Sequence, residues 1–534
     1  MRKRAPDDAA AAASRWRIVS LVVFAVALGV TLLTLDDPGL TWDEPASIVP
    51  GRFYAQWLAE LPRLPFSRQL IDAYWGPNHE HPPLAKLLMG ICQALLPQGS
   101  PIVASRLAVA VLFALLVELV LKFGASAFGG LAGTTAALSL LCMPRVFGHA
   151  HFAALDVPMS LTWLLAIVAF ARAVEKGTHA ACALSGLCFG LALLTKINAV
   201  FLPLVYLGWG LAFHRGRAVR PLAWTLLLGP AVFVIGWPWL WHDTVARLAA
   251  YLLPAWRVAI PVLYLGRVYV AAPWHYPLVM ALVTLPVGIL FLAILGALKA
   301  IREFRHQPLM ALALINVVVI LGVFMMPGVP RYDGVRLFLP AFPFLALLAG
   351  VGGRRCWDWL AASARKRPWR PLFLSALFFV SQAVGAVWMH PCELSYYNAL
   401  VGGLWGADRL GFEATYWHDA VDRDLFLWLN RRCAVGQTVA FYPVGENVVL
   451  PPHPRTGQHV LNFYDEYYLN VPEPKRLQAE RLEHARSYDF LVLSNRKAMM
   501  LRYNPGAWRV FSTREPLYAV RRQGVLLAGV FAKK

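Results

Sequence analysis

The sequence places acidic side chains at two points where an apolar run meets a polar one. Asp43 and Glu44 occur in DDPGLTWDEPASIV, just after the first apolar run, and Asp156 occurs in MPRVFGHAHFAALDVPMSL, where a later run begins. An ionisable group at a membrane boundary is costly and usually functional, and a carboxylate there can take the proton of a hydroxyl group. The structural alternatives are a solvated acidic turn at Asp43 and Glu44, and a helix cap at Asp156.

Histidine and lysine occur at the end of the same polar segment. In NHEHPPLAKLLMGICQALLP, a Pro-Pro step precedes an amphipathic run that starts at residue 84. We expect this run to form a helix that lies on the membrane surface. It would hold His81 and Lys86 near the lipid headgroups.

Three further cations favour a nearby anion. Lys196 separates two apolar runs, and MMPGVPRYDGVRLFLPAFPF contains Arg331 and Arg336. They fall on the side of the membrane opposite to the other basic clusters, whereas Lys and Arg normally concentrate in cytoplasmic loops. A phosphate group is the obvious ligand for such cations. Ordinary anchoring to lipid headgroups is the alternative.

An aromatic-rich stretch adds two more candidates. LYLGRVYVAAPWHYPL contains Tyr269 and His275, whose rings could stack on a sugar or close over a cavity. The alternative is an interfacial aromatic belt, in which Trp and Tyr rings lie at the level of the headgroups.

The composition indicates a membrane protein. Of the 534 residues, 58% are hydrophobic and 15% are charged, and the mean hydropathy is +0.53. Soluble domains have about 45–50% apolar and about 25% charged residues. These values exclude a disordered chain, a secreted disulfide scaffold and an ordinary cytosolic enzyme. The net charge of +20 comes from basic clusters between apolar runs, which orient membrane proteins, so it does not indicate nucleic-acid binding.

A helix needs about 20 apolar residues to cross a bilayer, and about eleven runs approach this length. The predicted spans are 17–35, 101–121, 126–143, 154–173, 180–195, 198–213, 221–241, 276–298, 308–326, 337–351 and 371–390. Since the basic clusters share one side of this arrangement, we expect residues 1–16 to be cytoplasmic. Residues 17–390 would form the transmembrane domain with a long external loop at 36–100, and 391–534 an external soluble domain.

The predicted fold class is therefore a polytopic all-α membrane bundle with a small external C-terminal α/β domain. In the tail, helix patterns occur at 417–432 and 473–486. Strand-like runs occur at TVAFYPV, HVLNFY, DFLVLS and LYAVRRQGVLLAGVF.

Three motifs together resemble a known family. WDE in the first loop, HPPLAKLL at its end and HAHFAALDVP after the third span look like the protein O-mannosyltransferases and their bacterial relatives, which include the aminoarabinose transferases of lipid A. These are GT-C type membrane glycosyltransferases that use polyprenyl-phosphate sugars. HPPLAKLL is the most specific match, and the resemblance covers about residues 17–350.

The resemblance implies roles for individual residues. Asp43 is implied as the catalytic base, Glu44 as the group that orients the acceptor or shares its proton, and Asp156 as a second carboxylate of the cavity. Among the substrate-binding candidates, His81 and Lys86 lie in the motif that borders the donor site, Arg106 in ASRLAVAVLF resembles the Arg that opens the second span, and His151 lies in HAHFAALDVP.

The sequence thus predicts an integral-membrane glycosyltransferase, hexosyl or pentosyl. It would move a sugar from a polyprenyl-phosphate carrier to a hydroxyl group of a lipid, glycan or protein, at the periplasmic face of a bacterial inner membrane. A phosphate leaves readily, so the reaction needs one base and a cationic pocket, and a single inverting displacement follows. No cofactor is required, although a carboxylate pair could recruit a divalent metal. A secondary transporter or lipid flippase, or a glycan ligase that uses a diphosphate carrier, is the alternative.

Overall fold

A computed structural model describes residues 6–63, 65–253, 258–364, 367, 369–434, 437–443, 478–482 and 487–533. Most of them are helical, because a helix satisfies its own backbone hydrogen bonds where water is excluded. Up to residue 389 the helices are α1 (Pro6–Leu32), α2 (Pro45–Glu60), α3 (Arg68–Trp75), α4 (Leu84–Leu95), α5 (Pro101–Phe128), α6 (Gly130–Leu141), α7 (Pro144–His149), α8 (Asp156–Lys176), α9 (His179–Leu193), α10 (Leu202–His214), α11 (Gly216–Ile235), α12 (Thr244–Leu252), α13 (Tyr276–Thr284), α14 (Val287–Arg302), α15 (Pro308–Met325), α16 (Phe342–Ser363) and α17 (Trp369–Met389). A hairpin of β1 (Val262–Tyr264) and β2 (Arg267–Tyr269) precedes α13, and a 3-10 turn at Arg336–Ala341 leads into α16.

Seven helical segments of the described chain are long and apolar enough to cross a membrane. They are Pro101–Phe128, Asp156–Lys176, Ile197–His214, Gly216–Ile235, Pro308–Met325, Arg336–Ser363 and Trp369–Met389. Each coincides with a predicted span, so the polytopic helical fold is confirmed. Three other predicted spans contain shorter apolar helices, namely Trp16–Leu32, Gly130–Leu141 and His179–Leu193.

The predicted span at 276–298 is instead two helices, α13 and α14. They are separated at Pro286, which lacks the N–H group that would continue the first helix. The C-terminal part of the chain supplies donors at this break, since Asn398 Nδ2 donates to the carbonyl oxygens of Leu282 and Leu285, at 2.7 Å in each case.

Two helices form the centre of the membrane domain. In the most apolar stretches of Asp156–Lys176 and Arg336–Ser363, 89% of the residues are buried inside the protein. In that of Trp369–Met389 only 6% are buried, so this helix lies on the outside. Asp156 is the first residue of α8, and Arg336 opens the turn before α16. Two predicted site residues therefore lie at the ends of the innermost helices.

The predicted external loop at 36–100 is mainly helical. α4 confirms the helix expected from residue 84. α2 and α4 pack so closely that a Cβ atom on Gly51 would meet the backbone of Lys86, and one on Gly90 would meet the backbone of Gly51. This contact gives the segments that carry Asp43 and His81 a rigid support.

The chain beyond residue 389 contains a small mixed sheet with flanking helices. Its elements are α18 (Gly403–Arg409), α19 (Arg423–Arg432), β3 (Thr438–Tyr442), β4 (Gln478–Arg481), β5 (Phe490–Ser494), α20 (Lys497–Tyr503), α21 (Pro505–Thr513), β6 (Tyr518–Arg522) and β7 (Val525–Ala532). The strand order is β4-β3-β5-β7-β6, with β3 parallel to β4 and β5, and β7 antiparallel to β5 and β6. The predicted C-terminal α/β domain is thus confirmed.

One predicted helix of this domain is shorter than expected. The pattern at 417–432 predicts a helix over its whole length, but α19 begins at Arg423. The Asp422 side chain accepts the backbone N–H of Leu425 at 3.0 Å and so caps the helix at this point.

The helix predicted at 473–486 is wrong in its described part. Gln478–Arg481 form β4, which pairs in parallel with β3. Hydrogen bonds to the sheet outweigh the helix propensity of these residues. The strand-like run HVLNFY at 459–464 lies outside the described residues.

His390 joins the end of the last membrane helix to the segment that follows α1. Its Nδ1 atom lies 2.6 Å from Glu393 Oε1, and its Nε2 atom lies 3.0 Å from Asp37 Oδ2. Burial alone would lower the pKa of His390, but hydrogen bonds and charge interactions with these carboxylates raise it to about 8. Arg522 of β6 donates to the His390 carbonyl oxygen at 2.6 Å, so the C-terminal domain is attached at the same point.

We predict that the contribution of His390 to stability depends on pH. The folded-state pKa of about 8 lies above the usual 6.5, so the stabilisation is complete below about pH 6.5 and is lost as the pH rises through about 8. It corresponds to about 2 kcal/mol at most. Thermal unfolding in detergent should show a gap in Tm between the wild type and His390→Gln that is widest at pH 6 and narrows by pH 9. An equal gap at both pH values contradicts the prediction.

Candidate active site

Asp43 and Arg336 form an ion pair at the edge of the helical domain. Arg336 Nη1 donates to Asp43 Oδ2 at 2.6 Å, and Trp417 Nε1 donates to the same oxygen at 3.2 Å. The Asp43 side chain is 31% exposed, whereas that of Arg336 is 9% exposed. The carboxylate is therefore the accessible member of the pair.

Aromatic rings and a second carboxylate fix the Arg336 guanidinium. It lies 4.5 Å from the ring centroid of Trp417 and 5.6 Å from that of Tyr332. Arg336 Nη1 is also 3.4 Å from Asp333 Oδ2. Stacking on two rings and pairing with two carboxylates leave this guanidinium little freedom to move.

Asp156 and Lys196 form a second, more deeply buried pair. Lys196 Nζ donates to Asp156 Oδ1 at 2.6 Å, and the two side chains are 6% and 3% exposed, respectively. Since Asp156 begins α8, its negative charge also lies at the positive end of the helix dipole. His149 Nδ1 lies 3.9 Å from the other oxygen of Asp156, and burial lowers the pKa of His149 to about 3, so that its ring is neutral.

Electrostatic interactions of Arg336 link the two pairs, and the His81 ring lies near them. Arg336 interacts electrostatically with Asp156 as well as with Asp43. Burial and the nearby charges of Lys86, Lys196 and Arg336 lower the pKa of His81 well below its usual value, so its ring is neutral. Five of the predicted site residues are therefore brought together: Asp43, His81, Asp156, Lys196 and Arg336.

Glu44 lies beside this group but has a different environment from the one expected. Its Oε1 atom accepts from Arg106 Nε at 2.7 Å and from the Ala153 N–H at 2.9 Å. Its Oε2 atom accepts from Arg106 Nη2 at 2.9 Å and from the Thr41 N–H at 2.8 Å. The expectation that Glu44 orients the acceptor or shares its proton does not fit this position, because both oxygens are engaged and the side chain is 0% exposed.

Arg106 likewise holds the loop instead of facing a substrate. Besides Glu44, its guanidinium donates to the carbonyl oxygens of Leu35, Pro38 and Gly39 at 2.8–3.2 Å. It is completely buried. Glu44 and Arg106 together fix the segment that presents Asp43.

Lys86 and His151 also differ from the expected substrate-binding role. Lys86 Nζ uses its donors on the Asn78 carbonyl and side-chain oxygens and on the His81 carbonyl oxygen, at 2.7–2.9 Å. The His151 ring bonds to the Thr34 hydroxyl group at 2.8 Å and to a backbone carbonyl oxygen of α7 at 2.9 Å. Both side chains are buried, so they support the polar segments from within.

Three other candidates lie apart from the group. Arg331 donates to the carbonyl oxygens of Ala272, Phe324 and Met326 and so closes the end of α15. The His275 ring bonds to the Tyr264 hydroxyl group at 2.8 Å, and Tyr269 lies in the β1–β2 hairpin. Within the part of the chain that the structure describes, none of Arg331, Tyr269 and His275 contacts Asp43, Asp156, Lys196 or Arg336 directly.

Several residues that contact the site were not among its predicted members. Tyr332, Asp333 and His149 lie within motifs that contain predicted residues, so neighbourhood in sequence was a usable signal. Trp417 is 374 positions from Asp43 and has no such signal. Among the described residues, no group of three His, Cys, Asp or Glu side chains could hold a metal ion.

Comparison with known proteins finds a family match for part of the chain. A model of the dolichyl-phosphate-mannose-protein mannosyltransferase family matches residues 80–242, which include His81, Asp156 and Lys196. No curated protein sequence matches the chain.

Solved structures show a similar fold. ArnT from Cupriavidus metallidurans bound to undecaprenyl phosphate has a TM-score of 0.50 and 17% identity, with 97% of each chain covered. The same enzyme in the apo state has a TM-score of 0.50 and 16% identity, with 98% of each chain covered. An oligosaccharyltransferase from Archaeoglobus fulgidus has a TM-score of 0.48 and 12% identity, covering 92% of this chain and 70% of that chain. The resemblance drawn from the sequence is therefore confirmed: residues 80–242 match the dolichyl-phosphate-mannose-protein mannosyltransferase family model, and the chain as a whole has a fold similar to that of ArnT.

Proposed function

We propose that this protein transfers a sugar from a polyprenyl-phosphate carrier to a hydroxyl group of an acceptor. The observation that carries the proposal is the Asp43–Arg336 pair, in which a partly exposed carboxylate lies beside a fixed guanidinium at the end of a central helix. A second pair, Asp156–Lys196, lies close enough to interact with the same guanidinium. One accessible base with cations beside it is what a glycosyl phosphate donor requires.

The donor phosphate would be held by Arg336 and Lys196. These two cations share the carboxylates around them, and a phosphate entering the site would add the negative charge that both can bind. Carrier binding by the ArnT relative, which was crystallised with undecaprenyl phosphate, supports this class of donor. The neutral ring of His81 could add a hydrogen bond without adding charge.

Asp43 would act as the base. Its Oδ2 atom is occupied by Arg336 and Trp417, while Oδ1 has no hydrogen-bond partner among the described residues. The acceptor oxygen would attack the anomeric carbon, its proton would pass to Asp43 Oδ1, and the bond from carbon to phosphate oxygen would break. The polyprenyl phosphate would leave with that electron pair, in a single displacement with inversion.

The rest of the proposal concerns placement in the membrane. The positive clusters between apolar runs favour a cytoplasmic N-terminus, so the site and the C-terminal domain from residue 391 would face the outside of a bacterial inner membrane. A lipid, glycan or protein could supply the acceptor hydroxyl group, and hexose and pentose donors are equally compatible with the site.

The test is the release of free undecaprenyl phosphate by the purified protein in detergent. Undecaprenyl-phosphate hexoses and pentoses serve as donors, and a membrane lipid extract serves as the source of acceptor. Release that depends on both supports the proposal. Transport into liposomes without cleavage of the donor would indicate a transporter, and release of a diphosphate carrier would indicate a ligase.

We predict that Asp43→Asn strongly lowers turnover but leaves the protein folded. Asparagine keeps the shape and one oxygen for Arg336 but cannot take a proton, so kcat should fall by about 10²–10⁴-fold. The Tm in detergent should change by only a few degrees, because Asp43 is partly exposed. Release of carrier by this variant at the wild-type rate would show that Asp43 is not the base.

Glu44→Gln provides the matched contrast at the adjacent position. Because Glu44 and Arg106 are both fully buried, removing one charge should cost about 3–5 kcal/mol of stability. We therefore expect a low yield or a clearly lowered Tm for this variant, measured by thermal unfolding in detergent. A stable Glu44→Gln protein that has lost turnover would instead indicate that Glu44 takes part in the reaction.

A further inference from the structure

A buried arginine of the C-terminal domain reaches the candidate active site. Arg496 lies between β5 and α20, and its side chain is 1% exposed. Its Nη2 atom donates to Asp333 Oδ1, and its guanidinium lies 5.7 Å from the ring centroid of Trp42, the residue before Asp43. This side chain therefore contacts two loops of the membrane domain.

Asp333 links Arg496 to Arg336. Its side chain is 0% exposed, and its Oδ2 atom lies 3.4 Å from Arg336 Nη1. Charges of alternating sign thus run from Arg496 through Asp333 and Arg336 to Asp43. The first three members are buried, and the last is the partly exposed carboxylate.

The loop that carries Asp333 adopts a costly backbone conformation. Asp333 and Gly334 both have positive φ angles, of 53° and 64°. The left-handed region is unfavourable for a residue with a side chain, so such a loop needs support from its surroundings. The ion pair with Arg496 and the hydrogen bond from the Gly334 N–H to the Tyr276 hydroxyl group, at 3.0 Å, provide it.

Arg496 is itself held in place. Glu413 Oε1 accepts the Ala498 N–H at 3.1 Å, two residues beyond Arg496, and Glu413 Oε2 accepts the Leu263 N–H of β1 at 2.8 Å. The beginning of α20 is thereby fixed to the β1–β2 hairpin of the membrane domain. Arg496 therefore approaches Asp333 from a rigid position.

The arrangement predicts what happens without Arg496. Burial raises the pKa of Asp333, although Arg496 and Arg336 oppose this effect. With Arg496 absent, Arg336 would be the only cation among the described residues that pairs with this buried carboxylate. Arg336 would then be drawn towards Asp333 and away from Asp43.

We propose that Arg496 is a positioning residue, through which the C-terminal domain sets the orientation of Arg336 towards the donor phosphate and Asp43. This inference rests on the proposed function, and it makes the C-terminal domain a working part of the site. Arg496 acts through Asp333 and does not itself contact the reacting atoms.

Lys497 offers a matched control at the next position. Its Nζ atom lies 2.9 Å from Asp408 Oδ1, and both side chains are partly exposed at the rim of a cleft of about 620 Å³ on the C-terminal domain. Lys497→Met removes a positive charge from the same turn of chain but leaves the series from Arg496 to Asp43 unchanged. A general loosening of α20 should therefore lower the activity of both variants. A loss of Arg336 positioning should lower the activity of the Arg496 variant alone.

The experiment compares Arg496→Met, Arg496→Lys, Asp333→Asn, the double variant Arg496→Met/Asp333→Asn, and Lys497→Met. For each we measure Tm, kcat and KM for undecaprenyl-phosphate sugar, and the affinity for undecaprenyl phosphate alone. Arg496→Met should lower kcat/KM at least tenfold per folded molecule, Arg496→Lys should lose less, and Lys497→Met should behave as the wild type. In the double variant kcat/KM should be about fivefold or more above that of Arg496→Met. The reason is that Asp333→Asn removes the buried negative charge that would draw Arg336 away from Asp43.

Additive losses in the double variant, or wild-type kinetics for folded Arg496→Met, overturn the inference. Equal losses in Arg496→Met and Lys497→Met do so as well. Failure of the proposed function gives a different result, because the wild type itself would then not release undecaprenyl phosphate from the sugar donor.

Discussion

The candidate site depends on keeping one guanidinium charged and still at the edge of an apolar helical domain. A buried cation costs several kcal/mol unless carboxylates and hydrogen bonds compensate for its lost hydration. Arg336 is compensated by Asp43, Asp333 and Asp156, which come from three separate segments of the chain. The rings of Trp417 and Tyr332 add stacking contacts. The position of this one group thus determines where the surrounding loops must lie.

The ion pairs of the site differ in solvent exposure. This difference distinguishes the pairs that hold the loops in place from the pair to which the proposed function assigns the chemistry. Glu44 and Arg106 are fully enclosed and satisfied by backbone groups, so they define a loop and cannot exchange partners. Lys196 and Asp156 are nearly as enclosed but lie beside the guanidinium. Asp43 is the partly exposed carboxylate of this arrangement, in keeping with its proposed role as the base.

Hydropathy predicted the helical membrane domain well, because a span is a local property of about 20 consecutive residues. It missed the division at Pro286, where a single residue decides the outcome. For the site, polar residues at span ends pointed to Asp43, Asp156 and Arg336, which the structure brings together. The family resemblance placed Arg106 among the substrate-binding residues, and its buried environment could not be foreseen, since burial behind another loop depends on tertiary packing that no local pattern contains.

The division between α13 and α14 has a consequence for how the chain is assembled. The carbonyl oxygens of Leu282 and Leu285 receive their donors from Asn398, more than a hundred residues later. Backbone acceptors left open in lipid are expensive, so this part of the bundle is incomplete until the later segment has been synthesised and has returned to it. These two hydrogen bonds can form only after Asn398 has been synthesised, and a ribosome that stops before this residue would leave both carbonyl groups without these donors.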